Sequence, residues 1–115
     1  QIIAAQGNDP LKHNCIVDIG FGRKGRVNMA LDQLPTITAT RAASHDYFCT
    51  GLRRRLSVEE LMKAQGSRPQ SFKDLGCVSA RALGHMTGNA MTIPVLEDVA
   101  WNAMLALGLV SGQRR

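Results

Sequence analysis

The sequence predicts a small α/β chain in which short β-strands come first and helices follow. Three observations point there. β-branched and alternating runs lie before Thr40, helix caps and apolar stripes of helical period lie after Ser57, and 115 residues suffice for one core. Apolar residues make up 44% and charged residues 20%, proportions that exclude wholesale disorder, collagen and a coiled coil. No apolar run approaches the roughly 18 residues a membrane-spanning helix needs. The segment from Gln1 to Gly7 lacks the basic start and apolar centre of a signal peptide. An intracellular setting is expected, nuclear in a eukaryote. The chain opens on Gln1 instead of methionine and is expected to be a piece of a longer polypeptide.

Along the chain, Gly7-Asn8-Asp9-Pro10 reads as a loop or a frayed end. Cys15-Ile16-Val17-Asp18-Ile19 is a β-branched run stopped by glycine, and Pro35-Thr36-Ile37-Thr38-Ala39-Thr40 alternates with period two, as a half-exposed strand does. Between them, Arg26 to Leu34 is either a second strand or one short helix. Ser57-Val58-Glu59-Glu60 is a capping box that opens a helix over 58–65, with Val58, Leu61, Met62 and Gln65 on one face and Gly66 as a left-handed stop. A further short helix is expected from Ser79 to Met86, ending before Gly88-Asn89. The last helix is expected to begin near Pro94, with Glu97 and Asp98 in its first turn and an apolar stripe of Leu96, Val99, Ala100, Ala103, Met104 and Leu107 to bury on a sheet or on other helices.

Charge is localised. From Gly20 to Arg55 seven basic residues (Arg23, Lys24, Arg26, Arg41, Arg53, Arg54, Arg55) face two acidic ones, which equals the whole net charge of +5. Such a field attracts polyanions, so DNA is the natural partner to consider, against the simpler reading of a solvated basic face. Cys15, Cys49 and Cys77 are odd in number and contain no C-x-x-C pair, and the three histidines have no ligand spacing, so no metal is expected. Gly20-Phe21-Gly22-Arg23-Lys24-Gly25 matches G-x-G-x-x-G, but only nine residues separate it from Pro35, too few for a parallel crossover of a dozen or more. It reads as a hairpin loop in which glycines let basic side chains approach phosphates.

Two blocks are more specific. Arg54-Arg55-Leu56-Ser57-Val58-Glu59-Glu60-Leu61-Met62-Lys63-Ala64-Gln65-Gly66 resembles motif IX of the DNA (cytosine-5)-methyltransferases. Gly88-Asn89-Ala90-Met91-Thr92-Ile93-Pro94-Val95 is similar to their motif X. Upstream, Leu34-Pro35-Thr36-Ile37-Thr38-Ala39-Thr40 looks like the P-T-[IL]-T strand that closes the family's target-recognition region. The order agrees, and the resemblance spans about Asp32 to Leu107. It departs at Ser67-Arg68-Pro69, where the family has Phe-Pro after Gln-Gly and Phe72 is the nearest aromatic to take that place, and at Met86, where the family has Gln.

The resemblance implies short strands of a target-recognition region followed by C-terminal helices that pack on a Rossmann-like methyltransferase sheet. It divides the chain into a loop or cut end (1–14), part of the recognition region (15–52), the motif IX and X segment (53–110) and a tail (111–115). It further implies that Gly88, Asn89 and Ala90 form part of the pocket for S-adenosylmethionine, that Arg23, Lys24, Arg26, Thr38 and Arg41 face DNA, and that Arg54, Ser57, Glu60 and Gly66 are architectural, Arg54 as an anchor to the recognition loops. The family's reaction needs a Pro-Cys cysteine to attack the flipped-out cytosine and a Glu-Asn-Val carboxylate at the ring. Neither motif occurs here, so no residue is assigned to catalysis and the remaining catalytic part of the polypeptide becomes an expected partner. The alternative reading is a free-standing basic nucleic-acid-binding module without catalysis.

Overall fold

The computed structural model describes residues 15–20, 28–31 (backbone) and 33–113. The β-branched run forms β1 (Cys15–Asp18), which pairs antiparallel with β2 (Asn28–Leu31), Cys15 opposite Leu31 and Asp18 opposite Asn28. Of the two conformations left open for Arg26 to Leu34, the described part is therefore a strand. An antiparallel neighbour also removes the parallel crossover that a dinucleotide-binding glycine loop requires. The sheet is completed by β3 (Tyr47–Cys49) and the two-residue β4 (Arg54–Arg55), in the order β2-β1-β3-β4 with every pairing antiparallel.

The strand expected over Pro35–Thr40 is not formed. Leu34 to Thr38 has no regular structure, and α1 (Ala39–Ala43) begins with Thr38 at its N-cap. The reason lies in where two backbone groups are satisfied. The buried Tyr47 hydroxyl donates to Thr36 O at 2.8 Å and accepts from Thr38 N at 2.9 Å, so a side chain takes the place of a neighbouring strand. The capping-box helix α2 (Val58–Ala64) forms as expected and is followed by two short 3-10 turns, Pro69–Ser71 and Leu75–Cys77.

Helix α3 (Ala80–Asn89) runs past its expected end at Met86 and takes in Gly88 and Asn89. Packing explains the extension. Gly84 and Gly88 lie one turn apart on one face, and α1 crosses that face so closely that a Cβ on Gly84 would stand 2.5 Å from Ala42 O, and one on Gly88 would collide with Ala39 N and Thr38 C. Ala39, Ala42 and Ala43 supply the small partners across the crossing. α4 (Ile93–Ala106) begins one residue before Pro94, which puts Glu97 and Asp98 beyond its first turn. Its stripe does not find the expected cover among the described residues: the helix has no buried residue, and Leu96, Val99 and Leu107 are exposed.

Among the described residues two small cores result. Ala42, Tyr47 and Leu61 form one, with Ile16, Leu34, Ile37 and Leu56 against it; Val58, Met62 and Leu83 form the other, with Leu75. The observed class is α/β, with a small antiparallel sheet and helices. No described helix is long and apolar enough to cross a membrane.

Candidate functional site

The three blocks singled out in the sequence meet at Gln65. α2 closes in a Schellman motif: Gly66 adopts φ +84°, Ser67 N donates to Met62 O at 2.9 Å and Gly66 N to Lys63 O at 2.9 Å. This turn leaves Gln65 buried and directed at the α3–α4 connection. Its amide nitrogen donates to Thr87 O (3.4 Å) and Ala90 O (3.3 Å), its amide oxygen accepts from the Thr92 hydroxyl (2.8 Å), and its backbone carbonyl accepts from Ile93 N (2.8 Å). At Gly66 a Cβ would lie 2.6 Å from Pro94 Cδ, so the Gln-Gly pair and the start of α4 are in direct contact. The role of Gln65 escaped sequence analysis. The sequence places it on the buried face of α2 and in the Gln-Gly of the motif IX block without naming its partners, although an amide in a core stripe already needs partners for its donors and acceptor.

The architectural residues are built around the same helix. Glu60 N donates to Ser57 Oγ at 3.2 Å and Ser57 N to Glu60 Oε2 at 2.8 Å, completing the capping box. Arg54 grips the same carboxylate with both terminal nitrogens, at 2.9 and 2.6 Å, and so ties the edge strand β4 to the first turn of α2. The Arg54 guanidinium, followed by the Ser57 amide, holds the Glu60 carboxyl down to about 2. A lowered folded pKa means that this stabilisation is full above the unfolded glutamate value of about 4.3 and is lost as pH falls through about 2. Glu60→Gln should therefore melt below the parent protein at neutral pH, and the gap should close as the melts are repeated between pH 4 and pH 2; a gap independent of pH would show that charge is not what Glu60 contributes.

The residues assigned to the cofactor are placed unequally. Gly88 is consumed by the α1 crossing, and the Asn89 amide lies 3.1 Å from His85 Nδ1 on the exposed end of α3. Ala90 alone lines an open groove, about 490 Å³ in volume, together with Leu34 to Ile37, Ala64, Gln65, Met91, Thr92 and Val95. S-adenosylmethionine carries a sulfonium, an ammonium and a carboxylate, and among the described residues no charged side chain lines this groove. Every described buried side-chain nitrogen and oxygen is already bonded. To such a molecule the groove offers apolar surface, and the described residues supply no partner for its charged groups. No protein-family model, curated protein or solved structure matches this chain.

The residues assigned to DNA are also divided. Arg23, Lys24 and Arg26 lie outside the described residues. Thr38 is exposed, and its side chain makes no capping bond. Arg41 is a partner of Asp18, its Nε 3.2 and 3.3 Å from the two carboxylate oxygens, and Asp18 Oδ1 also accepts from Gly20 N at 3.0 Å. Asp18, two positions before the basic stretch that starts at Gly20, is the counter-charge of Arg41. Arg53 and Arg55, exposed at the β3–β4 turn and on the edge strand, are cations to which the resemblance assigns no role. Phe72 lies beside Gly66, Ser67, Ile93 and Pro94 in a second groove, half exposed, where the family's aromatic was expected to be replaced. Among the described residues no group of histidine, cysteine, aspartate or glutamate could hold a metal ion. Cys15 and Cys49 are buried free thiols and Cys77 is an exposed one.

Proposed function

We propose that this chain is the end of the target-recognition region and the C-terminal segment of a DNA (cytosine-5)-methyltransferase, a divergent one. The observation that supports this most is the convergence at Gln65. Blocks that resemble the P-T-[IL]-T segment, motif IX and motif X lie far apart in sequence yet line one groove, with the Gln-Gly pair of the second bonded to the turn of the third. In this reading Ala90, Met91 and Val95 form an apolar wall of the cofactor pocket, and the basic stretch faces DNA phosphates. Bound S-adenosylmethionine supplies an electrophilic methyl group for cytosine C5. The cysteine nucleophile and the carboxylate at the ring belong to the catalytic part of the polypeptide, and this chain contributes recognition, orientation and one side of the pocket.

The test is the intact coding sequence and its product. The polypeptide containing this chain should carry Pro-Cys and Glu-Asn-Val upstream of Gln1 and should methylate cytosine in duplex DNA, whereas the 115-residue chain alone should transfer nothing. A coding sequence that lacks both motifs ends the methyltransferase reading; salt-dependent DNA binding by the chain in that case would favour the free-standing binding module.

The two classes of basic residue should separate in a DNA titration. Replacing Arg23, Lys24 and Arg26 together by alanine should weaken binding and flatten the dependence of log affinity on log salt by up to about 3, since each phosphate contact contributes about 0.9. Arg41→Ala should leave that slope in place and lower the melting temperature, because it removes the cation paired with the buried Asp18 and leaves that carboxylate only the Gly20 amide. Fluorescence anisotropy from 50 to 200 mM salt reads the slope; an equal flattening by Arg41→Ala would return Arg41 to the DNA face.

A further inference from the structure

We infer that Gln65 is a positioning residue for the cofactor wall at Ala90, so that a side chain of the motif IX block sets the shape of a pocket assigned to motif X; the inference rests on the methyltransferase reading above. It begins from how the helices end. α1, α2 and α4 each close with their own left-handed residue: His45 at φ 56°, Gly66 at 84° and Gly108 at 71°, with the paired backbone bonds of a Schellman motif in every case. α3 has no such closure. Its C-cap, Ala90, is extended (φ −75°, ψ 148°), so the chain leaves the helix directly: Ala90 N donates to Thr87 O at 3.2 Å, but the paired bonds of a Schellman motif do not form.

Gln65 supplies partners from outside. One amide nitrogen holds Thr87 O and Ala90 O, and one amide oxygen holds the hydroxyl of Thr92, so both sides of the turn are fixed by a side chain only 9% exposed. The arrangement uses both hydrogens and the oxygen of a primary amide. A carboxylate at this position would set an acceptor against two carbonyls, and a leucine would take the partner from Ala90 O and the Thr92 hydroxyl and leave Thr87 O with its bond from Ala90 N alone. The groove wall therefore keeps its shape through a residue that belongs to another block.

The experiment uses the intact polypeptide that contains this chain and measures S-adenosylmethionine affinity by equilibrium dialysis without DNA, alongside DNA affinity. Gln65→Leu should weaken cofactor binding about tenfold, as the loss of one to two net hydrogen bonds implies. Thr92→Val, at an exposed position that will not prevent folding, should weaken it about threefold, and Thr92→Ser should restore it. DNA affinity should stay within about twofold in all three, which a general loss of structure would not allow. Hydrogen exchange at the Ala90 to Ile93 amides should quicken in Gln65→Leu. Should the parent protein bind the cofactor while Gln65→Leu and Thr92→Val bind it equally well, the positioning role is wrong and the methyltransferase reading survives. A parent protein that neither binds cofactor nor transfers methyl overturns both.

Discussion

Gly88→Ala should destabilise the protein by about 3 kcal/mol, the upper part of the range for forced overpacking. The sign is the informative part, since the same exchange in an open helix would be favourable by about 1 kcal/mol. The added methyl has nowhere to go. It would meet backbone atoms of Thr38 and Ala39, and backbone cannot step aside as the tip of a side chain can. Gly84→Ala meets Ala42 O at 2.5 Å and should behave in the same way, whereas a Cβ on Gly76 has nothing within 4 Å, and Gly76→Ala should be neutral within about 0.5 kcal/mol. Denaturant unfolding of the three variants, without any ligand, decides the matter. If Gly88→Ala unfolds like the parent and loses only cofactor affinity, the glycine serves a ligand turn after all, as the resemblance to motif X implied.

Tyr47→Phe should cost about 2 kcal/mol, the penalty for stranding a backbone donor and a backbone acceptor that a single hydroxyl now serves. The ring would remain in its core beside Ala42 and Leu61, so the loss isolates the two bonds to Thr36 O and Thr38 N. Burial pushes the phenol above its ordinary value of 10.0, which keeps the hydroxyl protonated and donating throughout the neutral range. Denaturant unfolding gives the cost, and amide exchange at Thr38 should quicken in the variant. An unchanged stability together with an unchanged Thr38 amide would mean that water replaces the hydroxyl without loss.

What could be read in advance was local chemistry. The capping box at Ser57 and Glu60 and the stop at Gly66 each involve residues within a few positions of one another, and all three appear as expected. What misled was pattern without partner. Pro35–Thr40 has the alternation of a strand, but a strand also needs a neighbour, and Tyr47 takes that role from seven residues beyond Thr40. Gly88-Asn89 has the composition of a turn, but its conformation is decided by α1, an element whose own helicity no alternating Thr-rich segment announces. For the candidate site, the membership of the groove was legible as three blocks. The device that joins them was not, because the partners of Gln65 lie 22 to 28 positions away.

The seven residues of α2 are shared between the two cores: Leu61 belongs to one and Val58 and Met62 to the other. Neither core can come apart while the other persists, because losing the helix removes a wall from both. The sheet and α3, which touch different clusters, thus form one opening unit, and their slowest-exchanging amides should report the same free energy. α4, with no buried residue, lies outside that unit and should open well before it.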